Sequence, residues 1–161
     1  MRICDFDESK HLDRLRECVV ELQDSERLLD PRMPAGADIV DKYIPKILER
    51  CIQSAGKILI AEIDGEVAGF ATILTRVSSA ELEDGDVEYG LVSDLMVVKK
   101  YRRRGLGRKL LEAAESYART NDVKSLRIGV LAGNQAADKL YSSMGFSSLY
   151  TEREKDLTES Q

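Results

Sequence analysis

The spacing of apolar residues changes several times along the chain, and each change marks an element. Leu12, Leu15, Val19 and Leu22 trace one helical face, with Asp13, Arg14, Arg16, Glu17 and Glu21 mostly off it. Asp7 or Ser9 stands where an N-cap belongs. The stretch Asp30-Pro31-Arg32-Met33-Pro34-Ala35-Gly36 ends that pattern as a loop. The doublets Ile39/Val40, Tyr43/Ile44, Ile47/Leu48 and Cys51/Ile52 predict a second helix, capped by Asp38, kinked or split at Pro45 and closed by Gly56. Strand chemistry follows. Residues 57–63 and 67–74 flank the hairpin turn Asp64-Gly65, and Gly69 weakens the second strand or marks a bulge. An acidic loop, 78–86, leads to a long strand, 87–98. Helical spacing returns at Leu106, Leu110, Leu111, Ala114, Tyr117 and Ala118. Leu126, Ile128 and Val130 alternate within a strand at 125–131. A last helix opens at Gly133-Asn134 and carries Ala136, Ala137, Leu140 and Tyr141. Arg2-Ile3-Cys4 reads as a first edge strand and Leu149-Tyr150 as a last one. The order β-α-α-β-β-β-α-β-α-β predicts a mixed α/β fold. Its three consecutive strands form an antiparallel part, and its crossover helices a parallel part. Residues 1–152 form a single domain and 153–161 a polar tail.

Composition narrows the class. A chain of 161 residues that is 43% apolar can bury one core. No run approaches the ~18 apolar residues of a membrane span, and MRICDFDESK has no apolar leader region. Cys4, Cys18 and Cys51 lie far apart, which suits buried thiols better than a metal set or a disulfide framework. Together these features predict a soluble cytoplasmic protein. The net charge is −5, yet seven basic residues and no acid fall between Lys99 and Lys109. One confined basic stretch on an acidic body argues against a nucleic-acid or membrane partner, which needs a broad basic face.

That stretch joins the long strand to a helix through Arg102-Arg103-Arg104-Gly105-Leu106-Gly107-Arg108. Glycines let backbone approach a ligand, and the first amides of a helix lack intrahelical partners, so the turn reads as a pyrophosphate cradle. It is not a dinucleotide fingerprint, because Leu110 holds the third glycine position, and not a Walker A loop, because no Ser or Thr follows Lys109.

Two blocks resemble the GNAT superfamily of N-acetyltransferases. The first is Arg102, Gly105 and Gly107 after Leu95 and Val97, with Lys99 where the family often has proline. The second is Asn134, Ala137, Tyr141, Gly145 and Phe146. The resemblance implies the GNAT-type fold: a mostly antiparallel sheet flanked by helices, with two parallel strands splayed at the cofactor site. It implies acetyl-CoA as co-substrate and no metal. Met96, Val97 and Val98 would contact the pantetheine arm, and the amides of Arg103, Arg104, Gly105, Leu106, Gly107 and Arg108 would hold the pyrophosphate, with Arg102 opening the motif. Asn134 would fix the far end of the arm, and Tyr141 would protonate the leaving thiolate. Asp94, Glu88 or a water relay would take the proton from the amine. The acceptor implied is a small cationic amine such as a polyamine or aminoglycoside; a protein or peptide amine is the alternative, and a non-catalytic acyl-CoA-binding module the rival class. Asp24, Glu26, Asp30 and Arg32 flank the first loop, where such proteins build the acceptor pocket, and Glu81, Glu83, Asp84 and Asp86 are placed at the same mouth. Homodimers are common among such relatives. His11 reads as a surface histidine ahead of the first helix.

Overall fold

The computed structural model describes residues 1–158, so the end of the polar tail, 159–161, lies outside the described residues. Strand β1 (Arg2–Asp5) leads into helices α1 (Glu8–Arg27) and α2 (Gly36–Gln53). Strands β2 (Lys57–Ile63), β3 (Glu66–Ser78) and β4 (Glu88–Val97) follow in succession. Helix α3 (Leu106–Thr120), strand β5 (Leu126–Ile128) and helix α4 (Gln135–Ser143) complete the order. The sheet runs β1-β2-β3-β4-β5, antiparallel throughout except for the parallel pair β4·β5. Asp64 (φ 52°) and Gly65 (φ 82°) make the tight β2–β3 turn.

The sheet has a helical layer on each face. Leu15, Val19, Ile44 and Ile47 of α1 and α2 bury Ile60, Phe70 and Met96 on one side. Leu106, Leu110, Leu111 and Ala114 of α3 bury Leu59, Ala71, Ile73 and Val92 on the other. Val92 and Met96 thus face opposite layers although they lie four residues apart, where strict alternation would put them on the same side. The register explains it. Ile73 pairs with Val92 and Thr72 with Asp94, so Ser93 is an extra residue in β4. This β-bulge turns Asp94 and Met96 towards α1 and α2.

A second device keeps β3 close to β4. A Cβ added at Gly69 would lie 2.4 Å from the Met96 carbonyl oxygen, so the close approach of the two backbones requires glycine there.

Several local expectations are corrected. Pro45 does not split α2; it is exposed, where the Asp41 carbonyl that loses its partner can meet water. Asp38 does not cap α2. The helix starts at Gly36, and its first amide donates to Asp24 Oδ1 on α1 at 2.7 Å, a cap supplied by tertiary contact. The left-handed residue closing α2 is Ala55 (φ 45°), ahead of Gly56. Strand β5 is shorter than its alternation predicts. Leu149 and Tyr150 form no strand, and both stand in solvent. His11 lies inside α1 and is buried: its Nδ1 accepts the Asp7 amide at 2.9 Å and its Nε2 faces Glu62 Oε1 at 3.2 Å.

Candidate active site

Strands β4 and β5 pair only over Gly90–Val92 and Leu126–Ile128. Beyond that point β5 ends, while β4 continues five residues to Val97, its β5-facing edge unpaired by any strand among the described residues. A cavity of about 990 Å³ opens along this edge. Its floor is β4 from Val92 to Val97, one end is the bend before α3, and the opposite wall is α4. The C-terminal turn of α1 and Tyr43 of α2 close the rest.

The bend is built for backbone donation. Arg103 (φ 65°) and Gly105 (φ 80°) are both left-handed, and α3 begins at Leu106 with no side chain capping it. Its first amides and the positive end of the helix dipole therefore face the cavity mouth. A Cβ at Gly105 would meet no heavy atom within 4 Å, whereas one at Gly107 would lie 3.1 Å from Leu140 Cδ2 of α4. Gly105 is thus needed for its backbone angle and Gly107 for helix packing. The basic side chains are less free than their run suggests. Arg102 Nε donates to the Val97 carbonyl at 2.9 Å and its Nη2 pairs with Glu21 at 3.3 Å. Lys100 pairs with Glu66 at 2.6 Å, and Arg108 donates to Ser143 Oγ at 2.7 Å. Arg102, Arg103 and Arg108 line the cavity; Arg104 does not, and its guanidinium lies 5.7 Å from the centre of the Tyr101 ring.

Along the floor, Met96 and Val97 line the cavity. Val98 does not: its amide donates to the Ala68 carbonyl at 2.9 Å and its side chain packs on the α1/α2 layer. Asn134 lines the cavity, where its Oδ1 accepts the Ala137 amide at 3.1 Å and caps α4, which leaves its Nδ2 and one lone pair of Oδ1 for a ligand. Tyr141 is buried against Phe146, ring centres 6.0 Å apart, and reaches the cavity. Burial, then the charge of Glu26, push its phenol up to about 12, so it stays protonated at neutral pH.

Of the two acids named for proton transfer, only Asp94 is in the cavity. Glu88 is exposed at the opposite end of β4, about 20 Å away at strand rise. The acidic loop before β4 shares that far end and lines no part of the cavity. Asp94 is 4% exposed, and each of its oxygens is engaged: Oδ1 accepts from Tyr43 at 2.5 Å and Oδ2 from Ser93 at 2.8 Å. Burial first, then Asp94, drive the Tyr43 phenol far above its ordinary value. Glu26 also lines the cavity, and burial followed by the Asp94 charge raises its carboxyl. Tyr43 and Ser93 carried no distinguishing signal in the sequence. Tyr43 is one position in an apolar stripe, and Ser93 comes beside Asp94 in a bulge that no local pattern marks. Asp24 is turned away to cap α2.

Among the described residues, only Cys4, His11 and Glu62 gather metal-ligand chemistry, well away from this cavity. There His11 Nδ1 already accepts an amide, so Nε2 carries the proton that points at Glu62. A cation at Nε2 would have to displace that proton from a ring whose other nitrogen holds none.

The sequence pattern of the acetyltransferase (GNAT) family matches residues 20–146, from α1 to the end of the Phe146 block. YhfO of Bacillus subtilis (strain 168), an uncharacterized N-acetyltransferase, is 36% identical over 89 residues, 55% of this chain and 57% of that protein. The chain spans about half the length of the curated relatives it matches. A ribosomal-protein-alanine N-acetyltransferase from Brucella melitensis superimposes with a TM-score of 0.70 at 23% identity, covering 91% of this chain and 85% of that one. An aminoglycoside antibiotic 6'-N-acetyltransferase from Acinetobacter haemolyticus does so with a TM-score of 0.66 at 17% identity, covering 97% and 100%. At these identities the two likenesses are of fold.

Proposed function

Because the chain belongs to the acetyltransferase (GNAT) family, we propose that it transfers an acetyl group from acetyl-CoA to a primary amine of a small cationic molecule. One observation carries this reading: a single cavity joins an uncapped helix N-terminus, an unpaired strand edge, a protonated tyrosine and two carboxylates. Acetyl-CoA, as substrate, supplies the thioester. The amides at the start of α3 and the cationic side chains of Arg103 and Arg108 suit its pyrophosphate, and the strand-free edge of β4 at Ser93–Met96, short of the Val97 carbonyl that Arg102 occupies, suits the amide groups of its pantetheine arm.

Tyr141 is the general acid of this scheme. Tyr141 lines the cavity, and its hydroxyl holds its proton across the neutral range, so it can protonate a departing sulfur. Attack is direct, with both substrates bound, which replaces an encounter in solution by a positioned contact. Cys51, the cysteine that feels Asp94, supports this: it does not line the cavity, and burial and the Asp94 charge push its thiol up to about 11, leaving little thiolate. The acceptor end holds Glu26 and Asp94 under the exposed rim residues Leu28 and Leu29, an environment for an ammonium group on an alkyl stem.

The test is thiol release from acetyl-CoA with a panel of polyamines, aminoglycosides, amino acids and peptide N-termini. Turnover with small cationic amines is the expected result. A preference for peptide N-termini would move the acceptor to proteins. Acetyl-CoA binding with no amine-dependent thiol release would leave a binding module in place of an enzyme.

A further inference from the structure

Glu26 is placed by the last turn of α1. Its carbonyl accepts the amides of Leu29 at 2.9 Å and Asp30 at 3.0 Å, so hydrogen bonds fix its backbone at the helix end. Its half-buried side chain lines the cavity beside groups from three other elements: Tyr43 of α2, Asp94 of β4 and Tyr141 of α4. The Asp94 charge is felt at Glu26, and the Glu26 charge at both tyrosines. The cations that bear on this group of side chains are Arg50, whose charge reaches Tyr43 from α2, and Arg102, Arg103 and Arg108, which line the same cavity at the bend before α3. Among the described residues none of them pairs with Glu26. Asp94 lines the same cavity but differs from Glu26 in burial and in the engagement of its oxygens. It is almost fully buried, and both of its oxygens already accept hydrogen bonds.

We propose that Glu26 is a catalytic residue, the acceptor of the proton from the incoming ammonium, and that Asp94 is the fixed charge that positions it. This rests on the acetyl-transfer reading above. The ammonium gives one proton to a Glu26 carboxylate oxygen and becomes a free amine. The nitrogen lone pair forms the new C–N bond at the thioester carbonyl as the C–S bond breaks. Tyr141 gives its proton to sulfur and regains one from the acylated nitrogen, and Glu26 releases its proton to water. The raised affinity of Glu26 for a proton, caused by burial and Asp94, brings it closer to the amine it must deprotonate.

The experiment compares wild type, Glu26→Gln, Glu26→Asp and Asp94→Asn, with the best amine of the panel, from about pH 6 to about pH 10. In Glu26→Gln, kcat/KM for the amine falls by about 10²-fold or more near neutrality, in the range of general-base loss. It recovers towards wild type at high pH, where free amine enters already deprotonated. The acetyl-CoA Kd, read by calorimetry, stays at the wild-type value. Asp94→Asn raises the amine KM but keeps the acidic limb of the pH profile, and Glu26→Asp restores part of the rate. Should Glu26→Gln lose acetyl-CoA binding through misfolding, Glu26→Asp carries the same pH test. An active wild type whose Glu26→Gln variant keeps its rate and acidic limb, or shows a deficit that no pH relieves, overturns the assignment of Glu26 alone. A wild type that transfers acetyl to no amine overturns the acetyl-transfer reading and this one with it.

Discussion

Replacing Gly105 tests the bend at the start of α3 more directly than any change of its arginines. The residue has φ 80°, and an added Cβ meets no heavy atom within 4 Å. Alanine there causes no clash and blocks nothing, so its whole effect is the cost of a left-handed backbone angle, ~1–2 kcal/mol. Where that cost appears depends on how firmly the rest of the fold holds the bend. If the free protein relaxes the bend, the cost is taken from ligand affinity, and the acetyl-CoA Kd rises by a factor of about 5–30. If packing holds the bend, the cost appears in folding stability instead. Calorimetric titration with acetyl-CoA and urea unfolding together should account for the full ~1–2 kcal/mol. Asparagine, which tolerates this conformation, should lose much less than alanine, and valine should lose more. This ordering separates conformation from bulk, since asparagine is larger than alanine. If Gly105→Ala binds acetyl-CoA and unfolds as the wild type does, the bend is not the anion cradle described here.

Tyr141→Phe should keep the packing on Phe146 and lower kcat by ~10²–10⁴-fold, the range for a lost general acid, with little change in acetyl-CoA Kd; steady-state kinetics beside calorimetry would separate the two. Because burial raises its phenol to about 12, Tyr141 stays protonated below that value. The pH–rate profile should therefore show no falling limb from this residue up to about pH 11. Gly69→Ala should destabilise the fold by ~1–3 kcal/mol in urea unfolding, because its Cβ would sit 2.4 Å from the Met96 carbonyl and backbone must shift. Wild-type stability in that variant would refute the close approach of β3 and β4.

The parts of this protein legible in its sequence are those governed by neighbours along the chain. Helical spacing in α1, α2 and α3, the Asp64-Gly65 turn and the Asp7 cap need only a few consecutive residues to act, and the structure bears them out. The bend at Gly105 is likewise local, since its glycine and the first turn of α3 are contiguous. What the tertiary structure decided is which side chains meet. Glu88 and Asp94 look alike in sequence, two acids on one strand. The extra residue at Ser93 turns Asp94 to the α1/α2 face, and the end of β5 leaves the edge beside it open, while Glu88 stays at the solvent end. His11 became a buried partner of Glu62 because β1 and β2 bring residues fifty-one apart into contact. Asp24 was drawn off to cap α2, leaving Glu26 to face the cavity. The physical reason is common to all of these. A carboxylate's chemistry depends on its burial and on the donors around it, and both are set by strand register and helix packing over distances that no local pattern encodes.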